Sequence, residues 1–113
     1  MASDLTFVEF VLDQISGAGQ VSFKKMFGEY AIYCDGKVVA LVCNNQLFVK
    51  PTIGVHAMIP DVAQASPYPS AKAHFLIGEQ LDDRQLIASI IQLTASELPM
   101  PNPKKTRSKK ATK

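Results

Sequence analysis

Few residues in this chain have side chains and spacings suited to chemistry. Two thiols, Cys34 and Cys43, and two imidazoles, His56 and His74, make a Cys2His2 set by count. A structural zinc site is built from ligands in short, paired spacings, and none is present, so the thiols read as buried or half-buried small apolar groups. Ser, His and Asp all occur, but none stands in a strand-to-helix elbow or a Gly-flanked turn where a nucleophile would be exposed to its base. His74 opens an apolar run, His-Phe-Leu-Ile, and reads as a half-solvated ring at a strand edge. His56 falls on a short helix and is expected to face water. Asp82 and Asp83 are adjacent at a helix start, where side chains point apart, and capping accounts for both. Gly17-Ala18-Gly19 follows a helix instead of a strand and lacks the third glycine and the lysine of a phosphate-cradling loop. The expectation is therefore no catalytic residue, no metal and no cofactor.

Binding is better represented than catalysis. Met26, Phe27, Gly28 and Tyr33 bring together an adaptable thioether and aromatic rings, types that suit a partner surface. The competing account makes one strand face core and the other a solvated face, with Gly28 a bend at the strand start. Tyr68 stands between Pro67 and Pro69, whose rings restrict its backbone and lower the entropy cost of presenting the side chain. It either covers an open end of the core or forms part of a binding surface. Lys50 and Lys72 are candidate anion contacts near Tyr68, or surface charges near acids of the body.

Positioning these groups requires the following elements. Phe7, Val8, Val11, Leu12 and Ile15 recur on one helix face. Thr6 and Glu9 are spaced as a capping box, with Leu5 and Phe10 placed as a hydrophobic staple, and Ser3 is a competing cap one turn earlier. Gly17 and Gly19 end that helix. Val21–Lys50 turns to strand patterning, with Asp35-Gly36 as a type I′ hairpin turn. Its two-residue loop sets Cys34 opposite Lys37, Tyr33 opposite Val38 and Tyr30 opposite Leu41. It also separates Cys34 from Cys43 by roughly 20 Å along the strands, too far for a disulfide. Asn44-Asn45-Gln46 turns into Leu-Phe-Val-Lys, completing a three-stranded meander that ends at Pro51. Thr52 caps a short helix stopped by Pro60, 73–78 is a further strand, and Asp82 caps a helix carrying Leu86, Ile87, Ile90, Ile91 and Leu98. The order α-β-β-β-α-β-α predicts an α+β domain, an antiparallel sheet with helices on one face.

The chain has 113 residues, 47% apolar and 19% charged, which fits one globular domain and excludes a disordered chain. No apolar run approaches the ~20 residues of a membrane span, and the first residues lack a secretory pattern, so a cytoplasmic location is expected. The net charge of +2 conceals an asymmetry: residues 104–113 hold six of the twelve basic residues and no acid. Residues 1–103 then carry six bases against ten acids, a net of −4. The expected organisation is a domain over 1–103 followed by a disordered basic tail over 104–113. Lys104, Lys105, Arg107, Lys109, Lys110 and Lys113 of that tail are the candidates for weak, salt-dependent contact with nucleic acid or another polyanion.

The run Lys24-Lys25-Met26-Phe27-Gly28-Glu29-Tyr30-Ala31-Ile32-Tyr33, then Asp35-Gly36 and Leu47-Phe48-Val49-Lys50, resembles the N-terminal domain of the TfoX/Sxy competence regulators. Pro67-Tyr68-Pro69-Ser70-Ala71-Lys72 is similar to that family's loop, and the likeness covers nearly all of 3–98. Glu29, Ala31 and Ser70 depart from it, standing where the family often has glycine. The family's full-length regulators carry a second, helical domain, so the resemblance implies a stand-alone protein of the N-terminal type. It also implies a bacterial regulatory role in DNA-uptake gene expression beside a cyclic-AMP receptor transcription factor. Together these readings predict a non-enzymatic binding module that contacts a protein partner or itself. The alternatives are direct nucleic-acid binding through the tail, or small-ligand binding beside Tyr68.

Overall fold

The computed structural model describes residues 3–26 and 29–98; Phe27, Gly28 and the 104–113 tail lie outside the described residues. Helix α1 spans Leu5–Gln14 and is followed by a 3-10 turn, Ser16–Ala18. Four strands follow, β1 (Val21–Met26), β2 (Glu29–Cys34), β3 (Lys37–Cys43) and β4 (Gln46–Val49). Then come α2 (Ile53–Met58), β5 (Ala63–Ala65), β6 (His74–Ile77), a 3-10 turn (Glu79–Asp82) and α3 (Arg84–Glu97). The strands form one antiparallel sheet in the order β1-β2-β3-β4-β6-β5. The α+β class holds, and the expected meander with its neighbouring strand is β2-β3-β4-β6. Two further strands close its edges. β1 carries Lys24 and Lys25, and β5 is Ala-Gln-Ala; short or lysine-bearing strands are usual at sheet edges and weak as strand signals.

Antiparallel partners share a face, so the register divides the sheet cleanly. Tyr30, Ile32, Ala40, Val42, Leu47, Val49, Phe75 and Ile77 point to one side. There they pack with Val8, Val11 and Ile15 of α1 and its end, Val55 of α2, and Ile87, Ile90 and Ile91 of α3. All three isoleucines or valines contributed by each long helix are fully buried. The Asp35-Gly36 turn forms as expected, with φ of 53° and 85°, and Asn44-Asn45 makes a second tight turn with φ of 54° and 56°. The register correction is at Tyr30, which pairs with Val42 and not Leu41. A bulge inserts Val39 between the partners of Tyr33 and Ile32, and Val39 is fully buried there.

Two helix starts differ from expectation. α1 begins two residues earlier than a Thr6 cap requires: Asp4 is the capping residue, without a side-chain capping bond, and Leu5 and Phe10 are both exposed. Asp4 is held instead by its N–H donating to Asn45 Oδ1 at 2.7 Å, across the sheet end. α3 is capped by Asp83, whose Oδ1 accepts from Leu86 N–H at 3.1 Å, while Asp82 lies in the preceding 3-10 turn. Thr52 caps α2 as expected, accepting from Val55 N–H at 3.4 Å. At the far end of α3, Lys37 Nζ donates to the carbonyls of Ala95 (2.7 Å) and Leu98 (3.1 Å). A lysine on β3 thus neutralises the negative end of the helix and joins it to the sheet. Lys37→Met is expected to lower unfolding stability by about 1–2 kcal/mol, read as a lower urea midpoint at unchanged m-value.

Candidate functional site

Among the described residues no helix packs on the opposite face of the sheet, yet part of it is closed. Ala31, Cys43 and Phe48 are buried there, and Leu41 is half-buried. The 66–71 loop reaches over this region, closed by Ala71 N–H donating to Tyr68 O at 3.0 Å. Between loop and sheet lies a pocket of about 530 Å³, lined by Met26, Glu29, Tyr30, Leu41, Cys43, Asn44, Pro67, Tyr68 and Pro69. Its walls are mostly apolar. Tyr68, 51% exposed, and Met26, 39% exposed, form its lips.

Glu29 is the one carboxylate among the pocket's described residues, and three hydrogen bonds from two segments converge on it. Its Oε1 accepts from Ser3 N–H (2.9 Å) and Ser3 Oγ–H (2.6 Å), and its Oε2 from Asn44 N–H (3.0 Å). Ser3 Oγ in turn accepts from Asn45 N–H at 2.9 Å. Burial works against ionisation of Glu29, but the bonds from Ser3 and Asn44 outweigh it and hold the carboxyl below its ordinary range. A depressed carboxylate contributes stability that is present above its unfolded pKa and lost as pH falls through the folded one. Wild-type protein is therefore expected to lose this contribution below roughly pH 4.3. Glu29→Gln is expected to cost about 1 kcal/mol at pH 7, with the difference from wild type shrinking in thermal melts as pH falls through the depressed carboxyl's titration.

Burial pushes the Cys34 and Cys43 thiols up, with Asp35 and Glu29 respectively adding to the effect. Both are buried and unbridged, and as protonated thiols they are weak nucleophiles. Among the described residues, no cluster of three His, Cys, Asp or Glu is placed to hold a metal. His56 is exposed and stacks on Phe75 at 6.1 Å, and His74 Nδ1 lies 2.9 Å from Lys72 O. The exposed ion pair of Asp13 with Arg84, at 2.9 Å, links α1 to α3, and hydrogen bonding to Arg84 lowers the Asp13 carboxyl. No helix among the described residues is long and apolar enough to cross a membrane.

Of the residues singled out in the sequence, Met26 and Tyr68 meet at this pocket. Tyr33 is half-buried on the same sheet face, with Lys24 Nζ 5.7 Å from its ring centroid. Phe27 and Gly28 lie outside the described residues, as do all six basic residues of the tail. Lys50, at the far end of β4, and the exposed Lys72 do not line the pocket; its charge is the acid Glu29. Sequence reasoning missed Glu29, Leu41, Cys43 and Asn44. The alternation that places Glu29 with Ala31 and Tyr33 was the available signal for Glu29, while the loop's reach across the sheet has no local signature.

Comparison with known proteins gives the same picture over nearly the whole domain. A Spirochaeta aurantia protein, described as an uncharacterized 12.7 kDa protein in the trpE 5′ region, is 34% identical over 109 residues. That alignment covers 96% of this chain and 95% of that protein. Residues 13–98 match the TfoX N-terminal domain. With the match spanning both the sheet and the Pro67-Tyr68-Pro69 loop, the chain belongs to the TfoX N-terminal domain family.

Proposed function

We propose that this chain is a non-enzymatic regulatory module, of the competence-regulator type, that binds a protein partner through the Met26–Tyr68 face. The observation that carries this reading is the apolar pocket held open between the sheet and the proline-flanked Tyr68. A half-exposed tyrosine on a restrained loop offers large contact area at low ordering cost, as partner surfaces do. The raised thiols and the dispersed imidazoles offer no activated nucleophile or base beside it. The basic strip Lys104–Lys113 adds non-specific attraction to polyanions. With six cations its log–log salt slope is no steeper than about −5.

The pocket also favours a second reading, a small-ligand site, since about 530 Å³ lies within the range of such cavities. Affinity capture with nuclease treatment, using wild type, Tyr68→Ala and a deletion of 104–113, separates the readings. The module reading expects a specific protein retained by wild type and the deletion, and lost from Tyr68→Ala. Retention that disappears with nuclease or with the tail would overturn it in favour of nucleic-acid binding. Retention indifferent to Tyr68, with the pocket instead occupied by a co-purified small molecule, would favour the ligand site.

A further inference from the structure

The pocket combines apolar walls with one carboxylate, and that combination restricts what fills it. Met26, Leu41, Pro67 and Tyr68 supply the walls, and Glu29 stands at the Asn44 end. All three bonds to the Glu29 carboxylate come from neutral donors, two on Oε1 and one on Oε2. A carboxylate offers about four acceptor sites, so Oε2 retains one for a further donor. A neutral apolar group seated in the pocket would strip water from this charge and return nothing, and an acidic group would be repelled.

We propose that the pocket accepts a lysine or arginine side chain of the partner protein, its aliphatic stem between Tyr68 and Leu41 and its charged head at Glu29. This rests on the reading of the face as a protein-binding surface and adds the chemistry of the residue it takes. Long basic side chains lay their methylenes on apolar surface while the head seeks a polar end, which is the division this pocket presents. The half-exposed Tyr68 ring adds cation–π attraction. The same pairing already occurs on this sheet face, where Lys24 Nζ stands 5.7 Å from the Tyr33 ring centroid. Glu9, Asp13, Asp35, Asp82, Asp83 and Glu97 do not line the pocket, so Glu29 is the acid it offers to a cation.

Amide-shift titration of the full chain with four blocked pentapeptides tests this: Gly-Leu-X-Leu-Gly with X as arginine, lysine, norleucine or glutamate. The arginine and lysine peptides are expected to shift the amides of Met26, Leu41, Cys43, Asn44 and Tyr68 saturably. The norleucine peptide is expected to bind about tenfold more weakly, and the glutamate peptide not at all. Glu29→Gln is expected to erase the arginine-over-norleucine preference, bringing arginine and norleucine peptides to the same affinity. Tyr68→Ala, at an exposed position, weakens both and serves where Glu29→Gln disturbs the fold. Equal binding of arginine and norleucine peptides would overturn the inference, as would shifts confined to Asp82 and Asp83. Free butylamine matching the peptides in affinity would replace a protein side chain with a small amine. Peptide preference without Tyr68-dependent capture rejects the protein-partner role alone. Tyr68-dependent capture without preference rejects the basic residue alone.

Discussion

Tyr68→Ala is expected to weaken partner binding by roughly 30- to 150-fold, the loss of a 2–3 kcal/mol aromatic anchor, while leaving the fold intact. The reason is where the ring sits. At 51% exposure it contributes little to the core, and exposed substitutions of this kind change stability by no more than about 0.5 kcal/mol. Binding measured by titration calorimetry and unfolding measured by urea denaturation should therefore separate for this variant. Tyr68→Phe, which keeps the ring and removes the hydroxyl, is expected to retain most of the affinity. A fall in both stability and binding would make Tyr68 a cover for the sheet and not a recognition residue.

Ile90→Ala is expected to give the opposite pattern, a loss of stability of about 2–5 kcal/mol with the pocket unaffected so long as the protein stays folded. Ile90 is fully buried in α3, within the cluster formed by Ile87, Ile91, Val11, Ile15 and the helix-facing side of the sheet. Truncation removes three carbons from a site walled by β-branched side chains, whose stiffness limits collapse into the void. For a domain of this size that loss lowers the thermal midpoint by roughly 10–25 °C. The cost follows from packing on the helix side of the sheet, whereas the Tyr68 effect arises on the other side. Near-additive stability effects in Ile90→Ala/Tyr68→Ala are the corollary.

What was legible in the sequence was what neighbouring residues decide. Asp35-Gly36 fixes a hairpin because two consecutive positive φ values are cheap only for such residues, and Thr52 and the Ile87-Ile90-Ile91 stripe act within a turn or two of helix. What failed depends on distant partners. The start of α1 is set by Ser3 and Asp4 bonding to Glu29 and Asn45, residues 26 and 41 positions away, and no capping box competes with that. The misplaced partner of Tyr30 came from a bulge at Val39, where burial of one extra valine outweighs an unbroken ladder. Tyr68 and Met26 were identifiable by type, but their meeting at one pocket required the loop between β5 and β6 to reach residues of β1, β2 and β3. Glu29 was visible as a departure from a glycine-rich pattern and as a face-mate of Tyr33, but not as a binding residue. In the fold it ties the N-terminal segment to the β3–β4 turn and charges the pocket.

Photo-crosslinking from within the pocket is the most direct measurement of the central claim that recognition occurs at the Tyr68 face. A benzoylphenylalanine would replace Tyr68 in one full-length protein and Ile53, 88% exposed on α2, in another. The account predicts one discrete protein adduct from position 68, competed by unlabelled wild type but not by unlabelled Tyr68→Ala, and no such adduct from position 53. The same adducts from both positions, or an adduct at 68 that Tyr68→Ala competes as well as wild type does, would contradict it.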